Sequence, residues 1–279
     1  MQKVKEWIRK PAVSGLFYPS SHSELEHMIN QMLAAVTKQT EAANAFAIIV
    51  PHAGYVYSGQ VAAYAYATLP KHIQSVVLLG ANHRLENYQG ISIYDRGIFR
   101  TPLGDVEVDT QLCEKLKKKC PKLEFIPDAH LIEHSIEVQI PFLQKALPNV
   151  PIVPIVLSDY RVSTCEELAL ALYQTLDPDI HLVIASTDLS HYYPDYVATE
   201  MDAKAIQQIE KLDISNFIQL HESGQTELCG YGPVLTTLYY VKHHGQVNTH
   251  ILKYAHSGEV SHDDSQVVGY VAVQFIKNK

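Results

Sequence analysis

Apolar and polar positions along this chain follow two rhythms, and the rhythms alternate. From 22 to 36, Leu25, Met28, Ile29, Met32, Leu33 and Val36 recur at helical spacing. "SHSE" places Ser21 and Glu24 as a capping box at the start of that helix. "AFAIIV" (45–50) is continuously apolar, which suits a strand covered on both faces. "SVVLLG" (75–80), "PIVPIVL" (151–157) and "IHLVIAST" (180–187) read the same way, and "GISIYD" (90–95) reads as a further strand. Helices are predicted between them: 59–69, 109–119 with Asp109 as cap, 132–147 kinked or restarted at Pro141, and 164–176. Others follow at 198–211, at 214–222 behind Asp213, and from about 230 to 242. "NTHILKYAH" (248–256) and "QVVGYVAVQFI" (266–276) close the chain as strands expected to pair. Strands alternating with helices predict an α/β fold with a largely parallel or mixed sheet, whose ligands bind beyond the carboxyl ends of the strands.

Composition narrows the partners. The 279 residues are 47% apolar and 19% charged, with a net charge of −8, so a sizeable core is expected. No internal repeat or linker divides the chain, and one domain over 1–279 is the simplest reading. No basic stripe is present, which argues against nucleic acid. Lys115 to Lys119 with Lys122 read as a solvated helix face. No apolar run approaches the roughly 20 residues of a membrane span, and the start lacks the apolar stretch of a secretory signal. Cys113, Cys120, Cys165 and Cys229 show no disulfide or CxxC spacing, so reduced thiols and a cytoplasmic location are expected.

The fifteen histidines add the first hint of chemistry. In "IIVPHAGYVYSG" His52 stands just past a buried strand, followed by Gly54 and Gly59, which permit close backbone approach. His83 follows "SVVLLGAN" in the same way, and His191 follows "HLVIASTDLS". In an open sheet these ends gather on one edge, so the three imidazoles are candidates to converge. Asp188, three residues before His191, either accepts an imidazole proton and sets the tautomer or caps a turn. Cys229 in "ELCGYGP" precedes a predicted helix, where a thiol pKa is lowered toward the metal-binding thiolate. The bland alternative is a small buried apolar residue. "HLIEH" (130–134) competes as an inverted zinc-peptidase pattern, with His130 and His134 as ligands and Glu133 as base. Pro127 and Asp128 start that helix too late for His130 to sit in regular helix, and no third ligand is evident.

"PHAGYVYSG", "GANH", "EHSIEVQIPFL", "STDLSHY" and "LCGYGP", in this order, resemble the Memo family, as does the opening "RKPAVSGLFYP". The family is similar in fold to the extradiol ring-cleaving dioxygenases that use non-haem iron. The resemblance covers nearly the whole chain and implies an α/β/α sandwich around a mixed sheet. It implies His52, His83 and Cys229 as metal ligands, with His191 and Asp188 beside them as catalytic residues. It also implies His134 in the same pocket; Tyr55 and Tyr57 are expected to line the cleft. Where the dioxygenases place a glutamate ligand this chain has Cys229, whose softer thiolate moves preference toward Cu or Zn without excluding iron, so Fe(II) or Cu is the expected metal and Zn a further candidate. The function so implied is a metal-dependent redox protein, an oxygen-using enzyme acting on a small-molecule substrate. A second reading is a non-catalytic module holding a peptide or partner protein in that cleft, under the aromatic glycine loop at 54–59. Metal content after anaerobic purification separates the two.

Overall fold

The computed structural model describes residues 7–36 and 44–277; residues 1–6, part of the stretch read for a secretory signal, lie outside them. In chain order the first elements are β1 (Ile8–Arg9), α1 (His22–Val36), β2 (Ala45–Val50), α2 (Tyr55–Tyr66) and β3 (Ser75–Ala81). Then come β4 (Ile91–Ile93), β5 (Ile98–Thr101), β6 (Gly104–Glu107), α3 (Thr110–Lys119) and β7 (Leu123–Glu124). The middle holds α4 (Asp128–Leu131), a 3-10 turn (Glu137–Gln139), α5 (Ile140–Ala146), β8 (Ile152–Leu157) and α6 (Val162–Thr175). The last third is β9 (His181–Ser186), β10 (His191–Tyr193), α7 (Asp195–Lys211), α8 (Ile214–Glu222) and α9 (Tyr231–His243). It closes with β11 (Val247–His256), α10 (Gly258–Ser261) and β12 (Val267–Lys277).

Among the described residues nine strands form one mixed sheet in the order β10, β12, β2, β9, β3, β8, β4, β7, with β11 paired to β12 off that path. Its centre, β2–β9–β3–β8, is parallel. Each of β2, β3 and β8 is buried along its whole length, which is why their sequences are apolar without alternation. β12 runs antiparallel to β2 and to β11, and β4 antiparallel to β8. The chain steps from β2 to β3 in one direction across the sheet and from β8 to β9 in the other. Right-handed crossovers therefore put α2 and α6 on opposite faces. Against them pack α1 and α5 on the α2 side, and α3 and α9 on the α6 side. Among the described residues no helix is long and apolar enough to cross a membrane.

Two predicted helices are redrawn. The glycine-rich stretch expected to be a loop is the start of α2, four residues ahead of the predicted helix at 59. Gly59 lies inside it, where a Cβ would sit 2.9 Å from Met32 Sδ of α1, so the residue serves helix packing. The predicted helix over 132–147 is helical only from the turn at Glu137 onward. Ahead of it, the amides of His134 and Ser135 and the carbonyl of Glu133 bond outside any helix. The Glu133 carboxylate takes the amides of His134 and Ser135, and Arg9 takes the Glu133 carbonyl. Pro141 falls in the first turn of α5, where its missing N–H costs nothing.

Candidate metal centre

Strands β2, β9 and β3 finish level. Val50 is in register with Ser186, and Leu79 with Ala185. The chain leaves the sheet there, and His52, Asp188 and His83 each stand two residues past a strand end.

His52 is buried, with Nδ1 3.0 Å from Ser186 Oγ and Nε2 3.1 Å from Cys229 Sγ. The surrounding hydrogen bonds decide which nitrogen carries the proton. Gln139 Nε2 donates to the Pro51 carbonyl at 2.9 Å and to Ser186 Oγ at 2.8 Å. The Ser186 hydroxyl gives its one proton to the Ser135 carbonyl at 2.6 Å. His52 Nδ1 must then donate to Ser186, which leaves the Nε2 lone pair facing Cys229. Burial, reinforced by His83, pushes this imidazole down to about 3, so it is neutral at ordinary pH.

His83 Nδ1 lies 3.0 Å from Glu133 Oε1, and its backbone N–H donates to Glu133 Oε2 at 2.6 Å. Burial works to raise the Glu133 carboxyl, but the hydrogen bond and charge of His83, with His134 and the Ser135 amide, outweigh it and hold it at about 2. The His134 ring stands 4.7 Å from that of His83 and 5.2 Å from that of His52, between centroids. Its Nδ1 is buried and lacks a hydrogen bond; Glu133 Oε1, 3.2 Å away, is within ion-pair reach but outside hydrogen-bond geometry. Burial, then His52, pushes His134 down to about 3.

Cys229 enters from the far side, just ahead of α9. A Cβ on Gly230 would sit 2.3 Å from the Ser186 carbonyl oxygen, so only glycine lets the chain bring the thiol against the end of β9. Cys229 Sγ accepts the Asp188 N–H at 3.2 Å. The lowered thiol pKa expected before a helix is reversed: burial, then the Asp188 carboxylate, pushes Cys229 up. A coordinated cation displaces such a proton outright.

Asp188 is buried, and burial raises its carboxyl. Its Oδ1 accepts the backbone N–H of His52 at 2.8 Å and of Ala53 at 3.3 Å. The carboxylate ion-paired with His191 is Glu227, whose Oε1 lies 3.5 Å from Nδ1 and whose Oε2 accepts the Tyr193 hydroxyl at 3.1 Å. Asp188 anchors the His52 turn, with one oxygen within 4.8 Å of a His191 nitrogen and of Cys229 Sγ. A nitrogen each from His52 and His83 and the Cys229 sulfur also lie within 4.8 Å of one another. Two imidazoles and a thiol fit a transition metal, and three donors leave coordination positions open.

Residues 9–274 match the family model described as Memo-like protein. The chain belongs to the Memo family. MEMO1 family proteins of Sulfolobus acidocaldarius, Caldivirga maquilingensis and Methanopyrus kandleri are 40%, 36% and 38% identical to it. Each alignment covers 96% of this chain and 98–99% of the relative. Among solved structures, uncharacterized protein JW3007 from Escherichia coli K12 superposes with a TM-score of 0.50 at 16% identity, over 82% of this chain and 98% of that one. That likeness is one of fold.

In this Memo-family chain, His52, His83, His134, Asp188, His191 and Cys229 gather at one sheet edge. The two tyrosines do not join them in the same way. Tyr55 is a core residue, 2% exposed, its hydroxyl donating to the Val138 carbonyl at 2.6 Å. Tyr57 lies on α2 and is 44% exposed. "HLIEH" does not assemble a peptidase pair. α4 ends at Leu131, and His130 is buried beside Tyr94 with its Nε2 3.0 Å from Ser92 Oγ. Sequence reading missed Ser186, Gln139 and Glu227, and took Glu133 only as a base. Glu227 lies two residues before Cys229, and Gln139 lies inside "EHSIEVQIPFL". Their partners come from distant segments, so no spacing rule reveals them.

Proposed function

We propose that this protein is a metal-dependent redox protein in which His52, His83 and Cys229 hold one iron or copper ion, with zinc as a competitor. The observation that carries this is the donor geometry: three soft or borderline ligand atoms within 4.8 Å, with the His52 lone pair aimed inward by a complete hydrogen-bond network. When bound, the ion supplies electron transfer at the positions three ligands leave open. The chain's own residues do the rest. Cys229 surrenders its proton as it takes up the ion. His52 enters already neutral. His191, backed by Glu227 at Nδ1, holds or moves a proton beside the site as the general acid/base. Asp188 keeps the His52 turn in place by accepting hydrogen bonds from two backbone amides. His134, packed against the His52 and His83 rings, faces a small-molecule substrate.

Anaerobic loading with Fe(II), Cu(I) and Zn(II), followed by metal analysis of the wild type and Cys229→Ser, tests the reading. Near-stoichiometric metal in the wild type, lost in the variant, is expected. A wild type that retains no ion under any of these conditions overturns it. That result favours the non-catalytic binding module, for which the exposed Tyr192 beside His191 would be a contact residue.

A further inference from the structure

Glu133 is a buried carboxylate that neither metal binding nor the His191 acid/base role uses. It is 1% exposed and sits in the segment that fails to become helix. Its two oxygens accept four N–H groups. Oε2 takes the His83 amide at 2.6 Å, and Oε1 takes His83 Nδ1 at 3.0 Å and the amides of His134 and Ser135, each at 2.8 Å. Among the described residues its only ion-pair partners are the imidazoles of His83 and His134. No Lys or Arg side chain there neutralises it, although Arg9 holds its backbone carbonyl.

Each contact has a consequence. Four accepted N–H bonds fill most of the carboxylate's lone pairs, so Glu133 has little left with which to bind an ion itself. A carboxylate can only accept from His83 Nδ1, so that nitrogen carries the proton and the Nε2 lone pair is free for the site. The same oxygens tie the turn after β3 to the segment carrying His134, so one side chain sets the spacing of two of the clustered imidazoles. The buried negative charge also makes the His83 ring a stronger donor and offsets part of a cation's charge.

We propose that Glu133 is the positioning residue of the metal centre, fixing His83 as an Nε2 ligand and supplying the counter-charge behind it. This rests on the metal-dependent reading above for its consequence, but not for its geometry. The role differs from the base of a zinc peptidase, which would leave metal affinity untouched when replaced.

The test has two readouts. In the metal-free wild type, nitrogen NMR of the His83 ring should show the proton on Nδ1, and in Glu133→Ala, which removes the acceptor altogether, that preference should be lost. In anaerobic Fe(II) and Zn(II) titrations, Glu133→Gln should bind about 10–100-fold more weakly than the wild type. An Nε2–H tautomer in the wild type overturns the proposal, and that measurement needs no variant to fold. So does a folded Glu133→Gln protein that binds both ions as the wild type does. If the wild type itself binds neither ion while its His83 is the Nδ1–H tautomer lost in Glu133→Ala, the metal reading fails and the positioning of His83 stands.

Discussion

At the scale of single residues, ligand and proton-handling roles separate by substitution. Cys229→Ala should lose metal affinity first, because it removes the only sulfur donor in the cluster. His191→Ala should keep most of its metal and lose any oxidase or oxygenase turnover by ~10²–10⁴-fold, the usual worth of a proton-transfer group. Metal analysis beside a turnover assay decides; an empty His191→Ala with a full Cys229→Ala would reverse the assignment. Protonation gives a second expectation. His52 is neutral down to about 3, whereas the Cys229 thiol is held protonated by burial and by Asp188. Metal uptake near pH 7.5 should therefore release about one proton per ion, and affinity should rise with pH. Calorimetry in buffers of different ionisation enthalpy counts that proton; zero released would mean that Cys229 is not the ligand.

At the scale of elements, two contacts hold the segments that carry the site. Arg9 of β1 and Glu137 of the 3-10 turn form an ion pair, each side chain 1% exposed. Glu137 also accepts the amides of Ala12 and Val13 and the Tyr18 hydroxyl. This strap pins the N-terminal segment onto the stretch bearing Glu133 and His134. Glu137→Gln strands the Arg9 charge in the interior and should cost about 3–5 kcal/mol, read by urea unfolding. A loss under 1 kcal/mol would show that the pair is not as buried as its geometry implies. The second contact is the approach of Gly230 to the Ser186 carbonyl. Gly230→Ala should push the start of α9 off the end of β9 and weaken metal binding by displacing Cys229, with the strap intact. These contacts lie between segments more than forty residues apart; helical periodicity misplaced 132–136 because the Glu133 side chain takes the His134 and Ser135 amides and Arg9 takes the Glu133 carbonyl.

At the scale of the whole molecule, buried imidazoles make stability depend on mild acid. His130 is buried away from the metal centre, and burial, then Arg9, pushes it down to about 3 from 6.5. The unfolded chain binds a proton there below about 6.5, and the folded chain does not until about 3. Stability should therefore fall as pH drops through that window, by about 1.4 kcal/mol per unit for this one ring. His130→Phe should show a shallower pH slope by about that amount in unfolding free energies from urea titrations at pH 5.5 and 4.5, whatever its absolute stability. An unchanged slope would mean that His130 is already protonated in the fold.

The sequence by itself determined the α/β class, the buried central strands, most helix limits, the pairing of the last two strands and the Memo resemblance. It could do so because each is written in local signals: period, apolar runs, caps and short motifs. Asp109 and Asp213 cap α3 and α8 through bonds to residues only three positions on. Only the tertiary structure decided which strands lie side by side, and hence that His52, His83 and Cys229 share one edge. It alone exchanged Asp188 for Glu227 as the partner of His191, moved Tyr55 into the core and turned Glu133 toward His83. Those outcomes depend on hydrogen bonds and burial among residues distant in the chain, and the proton positions on the imidazoles follow from which of those partners can only accept.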